Sequence, residues 1–203
     1  MIALAALAGL LLGSSPTADW IARRSGIDLR SAGSGNPGTN NARRLAGYRL
    51  AVPILVVELG KGAGAVILGS VIAGSAGAAA AGVTAVLGNV ANPWFGLRGG
   101  QGLAITGGVL VAAWPEGFLL GLGVIALVTA ATRSSPAASL AALASVLGAA
   151  ASWELVAVDA GWSLTEHRLL LAAGIAVVIA PKQLRKAAVT LRSPARGESR
   201  RAR

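Results

Sequence analysis

Apolar runs of near-membrane length recur along this chain, separated by short polar stretches that carry glycine. A helix that crosses a bilayer needs about 20 mostly apolar residues. Seven segments approach that length, at roughly 1–20, 49–73, 76–93, 102–114, 117–131, 137–158 and 168–181. The fourth, fifth and seventh are short, as expected of helices that tilt little or are partly re-entrant. Small residues are frequent within the runs, as in GKGAGAVILGSVIAGSAGAAAAG, and in lipid they let helix backbones approach closely. The pattern predicts an all-α integral membrane fold of about seven transmembrane helices. The opening MIALAALAGLLLG lacks the positive n-region of a signal peptide and is read as a retained membrane helix.

Composition sharpens this picture. Charged residues make up 13% of the chain, against about 25% in a soluble domain, and the mean hydropathy is +0.67. The chain has no cysteine, which excludes disulfides, thiolate metal sites and cysteine nucleophiles. A single histidine, His167, leaves little room for a metal site or a triad and is read as a solvated helix-end residue; no metal and no cofactor is expected.

The net charge of +10 raises the question of nucleic acid, but the placement of the charge argues for a membrane. Eight of the 18 basic residues follow Ala180 and six lie between Arg23 and Arg49, flanking apolar runs, and no aromatics interleave with them as single-strand binding requires. Seven crossings place the two ends on opposite sides. The positive-inside rule then puts the C-terminus in the cytoplasm and the N-terminus outside. The loop near 159–167, with Asp159 and Glu166, falls outside, and the stretches 31–44, 92–101 and 132–139 share the cytoplasmic face. Residues 1–186 form one transmembrane domain, and 187–203 a basic cytoplasmic tail expected to be disordered.

The first candidate site is AGSGNPGTNNARR, residues 32–44, whose core fits G-x-G-x-x-G. Glu58 stands where a dinucleotide site would need its acid. However, GIDLRSA before the loop is not a buried strand, and a membrane helix follows. Three readings remain at this point: a dinucleotide fingerprint, an anion-binding nest with Arg44 as its cation, and a plain turn. Glu58 and Lys61 share one face of an apolar helix, where ionisable groups are costly and usually face a cavity or one another. Arg98-Gly99-Gly100-Gln101-Gly102 is a second glycine turn that opens a helix, and a helix N-terminus attracts phosphate. Trp94 and Phe95 suit the headgroup level.

Taken in order, these motifs resemble the bacterial membrane-integral acyl-phosphate:glycerol-3-phosphate acyltransferases. The family carries G-S-I-P, then G-x-D-x-R, then G-S-G-N-x-G-A-T-N-x-x-R. The stretch LLGSSPTADWIARRSGIDLRSAGSGNPGTNNARRLAG follows it, with Gly33, Ser34, Gly35, Asn36, Gly38, Asn41 and Arg44 aligned. The family's D-x-x-K-G reads Glu58-Leu59-Gly60-Lys61-Gly62. Its L-G-H…P…F-K-G-G-K-G reads Leu87-Gly88-Asn89…Pro93…Leu97-Arg98-Gly99-Gly100-Gln101-Gly102. The resemblance covers about Leu11 to Lys186. It implies a seven-helix enzyme of the inner membrane with its active site on the cytoplasmic face. Such an enzyme moves a fatty acyl group from acyl phosphate to the 1-hydroxyl of glycerol 3-phosphate, giving lysophosphatidate, without metal or coenzyme A.

On that resemblance Arg44, Lys61 and Ser34 carry the catalysis. Ser34, Gly35, Asn36 and Arg44 serve the glycerol-phosphate side, with Gly33, Gly38, Asn41 and Glu58 beside them. Lys61, Arg98, Gly99, Gly100 and Gln101 hold the acyl phosphate, and Ser139 contacts phosphate. The departures are Asn89 and Ala180 for family histidines, Gln101 for a lysine and Gln183 for an asparagine. They motivate an alternative, a catalytically silent relative that binds a phosphate-bearing lipid or regulates a partner. A transporter or channel ranks last, because the charges gather at one face instead of running through the bilayer.

Overall fold

The computed structural model describes residues 1–156, 164 and 166–192. The regular elements among the described residues are helices, in the order α1 (Ile2–Ser14), α2 (Thr17–Arg24), α3 (Thr39–Ala46), α4 (Tyr48–Val90), a 3₁₀ turn (Pro93–Phe95), α5 (Leu103–Ala113), α6 (Pro115–Thr132), α7 (Ser135–Val156) and α8 (Arg168–Arg192). Four stretches are apolar and long enough to cross a membrane: Ile2–Arg24, Tyr48–Phe95, Pro115–Thr132 and Ser135–Trp153.

The expected second and third segments are the two arms of α4, which folds back on itself. Ala73 leaves helical geometry (φ −147°, ψ 29°), and Gly74 takes φ 62°, a left-handed value that glycine adopts without Cβ strain. The arms then run antiparallel, so closely that a methyl on Gly69 would strike the Gly77 carbonyl. Each arm has the length of a membrane crossing.

The expected first segment, 1–20, is divided. Pro16 has no N–H to continue the helix and pushes Ser15 out of the α region (φ −56°, ψ 129°). The apolar α1 therefore stops at Ser14, and the amphipathic α2 begins at Thr17. The last segment is longer than expected. Helix α8 continues past Lys186 to Arg192, so residues 187–192 of the expected tail are helical. Residues 193–203 lie outside the described residues, as does Asp159 of the 159–167 loop.

Glycine and alanine set the packing. Gly9 and Gly13 of α1 lie against Ala81 and Ala85 of the second α4 arm, and Gly88 against Leu10 and Ser14. Gly62 and Gly108 bring the first arm into backbone contact with α5. Helices α6 and α7 join through Arg133 in the left-handed region (φ 54°) and pack as a hairpin, with Gly121 beside Val146. Helix α8 runs along the second arm, placing Leu171 near Gly82, Gly174 near Val83 and Lys182 at Val90. Helices α1 and α8 are thus parallel to the second arm. Met1 lies at the fold-back end of the bundle, and the basic end of α8 lies at the other. The polar stretches 15–47, 91–102 and 133–135 gather at that second end.

The main core holds Val66, Val86, Ile105, Val109, Trp114, Leu171 and Ile179. A second cluster, with Ala22, Leu29, Ala42 and Ile54, fixes α2 and α3 on the start of α4.

Candidate active site

The loop of residues 26–38 is shaped by one buried side chain. Asn41 on α3 donates from Nδ2 to the carbonyls of Leu29 and Ala32, both at 3.0 Å, and its Oδ1 accepts from the Ser34 amide at 2.9 Å. A Cβ on Gly33 would collide with that Oδ1. Gly33 and Gly35 take φ of 63° and 68°, so glycine is needed to make the turn. The loop amides are largely spent within the loop: Gly35 on the Ala32 carbonyl and Gly38 on that of Asn36. The glycines therefore shape the loop instead of forming the nest itself. The donors offered outward are the first-turn amides of α3, which a helix leaves unpaired, together with Asn36 and Asn40. The amide N–H of Arg30 donates to Asp28 Oδ1 at 2.9 Å and holds the Asp28 carboxyl below its usual range.

A second cluster ties the elements together beneath this loop. Glu58 and Lys61, each 6% exposed, form an ion pair at 2.9 Å. Glu58 also accepts from Thr17 Oγ1 at 3.2 Å and from Asn89 Nδ2 at 2.6 Å. Lys61 Nζ donates to the Ser15 carbonyl at 2.9 Å, and Asn92 Nδ2 donates to the Ser14 carbonyl at 2.8 Å. Lys61 thereby satisfies the end of α1 that Pro16 opens, where a cation is favoured.

The glycine turn of 98–102 is held from three sides. Gly99 and Gly100 donate to the carbonyls of Val90 and Asn89 at 3.1 and 2.9 Å. Arg30 forms a bidentate pair with buried Asp19, at 3.0 and 2.9 Å. It also donates to the Arg98 carbonyl at 2.7 Å and stacks 3.4 Å from the Phe95 ring centroid. Lys182 on α8 closes the third side.

Between these clusters and α5–α8 lies a cavity of about 440 Å³. Its polar end is formed by Asn36, Gly38, Thr39, Glu58, Asn89, Gln101 and Ser139. Its deeper walls are apolar, with Leu59, Leu103, Phe118, Leu143, Val146 and Ile175. Two helix N-termini, those of α3 and α5, stand at the polar end, a favourable setting for an anion.

The sequence-expected residues divide in two. Asn36, Gly38, Glu58, Gly100, Gln101 and Ser139 line the cavity. Gly33, Ser34, Gly35, Asn41, Lys61, Arg98 and Gly99 surround it without lining it. Arg44 is exposed on α3. Ser139 Oγ donates to the Ser135 carbonyl at 2.9 Å. Gln183 is fully buried, and neither amide atom has a partner among the described residues.

Sequence reasoning passed over Asp19, Arg30, Asn92 and Lys182. Arg30 is the arginine of the G-x-D-x-R motif. Lys182 lies between Ala180 and Gln183, the two departures from the family pattern.

Known proteins are similar to this chain over most of its length. The family described as glycerol-3-phosphate acyltransferase matches residues 3–189. The glycerol-3-phosphate acyltransferase of Synechococcus sp. (strain JA-3-3Ab) is 40% identical over 182 residues, covering 89% of this chain and 86% of that protein. That of Myxococcus xanthus (strain DK1622) is 36% identical over 168 residues, covering 81% and 88%. Among solved structures, PlsY (YgiH), an integral membrane glycerol 3-phosphate acyltransferase in its glycerol 3-phosphate form, aligns with a TM-score of 0.78. The identity is 26%, over 94% of this chain and 92% of that one. The lysophosphatidic acid form aligns at 0.77.

Proposed function

This chain belongs to the glycerol-3-phosphate acyltransferase family and is a multi-pass membrane enzyme that acylates glycerol 3-phosphate to lysophosphatidate; we propose that acyl phosphate is its donor. The observation that carries the proposal is the cavity, whose apolar walls suit an acyl chain and whose polar end suits an anionic head. In this reading the acyl chain lies along Leu59, Phe118, Leu143 and Ile175, and its phosphate meets the turn of Gly99, Gly100 and Gln101. Glycerol 3-phosphate takes the side of the α3 N-terminus, with Asn36, Asn40 and the first-turn amides of α3 toward its phosphate and Arg44 on the same helix.

The reaction needs alignment more than a strong base. The glycerol hydroxyl oxygen attacks the acyl carbonyl carbon, a C–O ester bond forms, and the bond from carbon to phosphate oxygen breaks. Inorganic phosphate leaves, and a substrate phosphate oxygen takes the hydroxyl proton. Two anions must be held together against repulsion, which fixed amide dipoles and cations do without reorganising. Lys61 contributes by fixing the frame: it holds Glu58 and the end of α1, and so sets where the polar end of the cavity stands. The polar end of the bundle carries the basic residues of α2, α3 and the end of α8. By the positive-inside rule it faces the cytoplasm, across the inner membrane.

The test is purified protein in detergent with acyl phosphate and labelled glycerol 3-phosphate, with Arg44→Ala and Asn36→Ala beside it. Lysophosphatidate and phosphate should appear in equal amounts, and both variants should be slower. Product formation only when an acyl thioester replaces acyl phosphate would overturn the donor assignment.

A further inference from the structure

Lys182 sits on α8 where the helix leaves its apolar segment, and all three of its ammonium protons have carbonyl partners. They go to Val90 at 2.7 Å, Gly99 at 3.0 Å and Gly100 at 2.8 Å. With Arg30 on the Arg98 carbonyl at 2.7 Å, three consecutive carbonyls of the glycine turn end on cations.

In a trans peptide the C=O and N–H point in opposite directions. The peptide between Gly99 and Gly100 is held at both ends, its oxygen by Lys182 and its N–H by the Asn89 carbonyl. The next peptide is held at its oxygen by Lys182, while its N–H belongs to Gln101, a residue that lines the cavity. Beyond it, Gly102 (φ 78°) opens α5, whose first-turn amides are unpaired. The direction of the Gln101 N–H is therefore set by Lys182 from behind. A cation on the carbonyl also strengthens the same peptide as a hydrogen-bond donor. Holding a lysine immobile and partly buried is costly, and a turn needing only packing would be served by an apolar side chain.

We propose that Lys182 is a positioning residue for the donor: it locks and polarises the Gly100–Gln101 peptide so that its N–H, with the start of α5, receives the phosphoryl oxygens of acyl phosphate. Lys182 need not touch substrate in this role. The proposal rests on the donor reading given above.

The experiment compares Lys182→Met and Lys182→Arg with the wild type in detergent, measuring KM for each substrate, inhibition by inorganic phosphate, and Tm. The Met variant should raise KM for acyl phosphate and weaken phosphate inhibition by about tenfold, the scale of one charge-assisted hydrogen bond. KM for glycerol 3-phosphate should stay unchanged, and Arg should restore part of the loss. The chain has no cysteine, so Lys182→Cys can be aminoethylated cleanly. Return of the ammonium should recover the acyl phosphate KM, and this variant decides the matter if the Met variant does not fold. Equal changes in both KM values, or a fall in Tm and kcat with both KM values unmoved, would assign Lys182 to stability alone and overturn the proposal. A wild type inactive with acyl phosphate would instead defeat the donor reading.

Discussion

Asn89 reaches Glu58 across the fold-back of α4, its Nδ2 2.6 Å from Glu58 Oε2. The two residues are 31 positions apart in the chain and stand at the same height on the antiparallel arms. Their contact joins the two arms at the level of the cavity, and through Lys61 and Thr17 it reaches α1 and α2. Four helical segments thus meet at one carboxylate.

Breaking this cluster one-sidedly should unfold the protein more readily than removing it. Lys61→Met leaves the Glu58 charge buried without its counter-ion, at a cost of about 3–5 kcal/mol. Thermal unfolding in detergent should show a clear drop in Tm. The double variant Glu58→Gln with Lys61→Met should regain part of it, because the uncompensated charge is gone. A double variant less stable than Lys61→Met by the full cost of Glu58→Gln alone would show the two residues to be uncoupled.

The seven apolar segments were legible from hydropathy, and each falls on a helix among the described residues, where four stretches are long and apolar enough to cross a membrane. Pro16 interrupts the apolar run of 1–20, so α1 ends and α2 begins where one segment was expected. The roles of Asn41 and Lys61 were legible only as residue types. Asn41 holds the carbonyls of Leu29 and Ala32 through the turn that Gly33 and Gly35 make, whereas Lys61 reaches the Ser15 carbonyl 46 positions away, a pairing no local pattern encodes. Lys182 was hidden for the same reason: its partners, Val90, Gly99 and Gly100, lie more than eighty residues earlier in the chain.

Two glycine-to-alanine changes in neighbouring turns should separate packing from propensity. A methyl on Gly108 would strike the Leu59 carbonyl, so Gly108→Ala must part α5 from α4, costing about 1–3 kcal/mol. At Gly60 a methyl meets nothing within 4 Å, and alanine favours helix by about 1 kcal/mol over glycine. Gly60→Ala should hold or raise Tm while Gly108→Ala lowers it. Equal effects would mean that the close approach of α5 contributes no stability.

Acid should loosen the loop before it loosens the bundle. Asp28 accepts the Arg30 amide and has a carboxyl pKa lowered from the ordinary 3.8. A group depressed in the folded state adds stability that is full above its unfolded value and is lost as pH falls through the folded one. Amide exchange in residues 28–34 should therefore quicken relative to the intrinsic rate below about pH 4, with helices α4 and α7 still protected. Asp28→Asn should remove that pH step. Its persistence in the variant would place the titrating group elsewhere.

The cavity should also determine which chains are transferred. Ala142 on α7 is buried and lines it, so Ala142→Phe fills part of the space an acyl chain would occupy. Each methylene denied burial costs about 0.8 kcal/mol, so excluding two costs roughly tenfold in kcat/KM. Long acyl phosphates should lose at least that much, short ones far less, and KM for glycerol 3-phosphate should not move. A series of donors of increasing length reads this directly. An equal loss at every length would mean that the side chain distorts the polar end rather than shortening the channel, and the acyl chain would then have to lie along the lipid-facing side of α6 instead of inside the cavity.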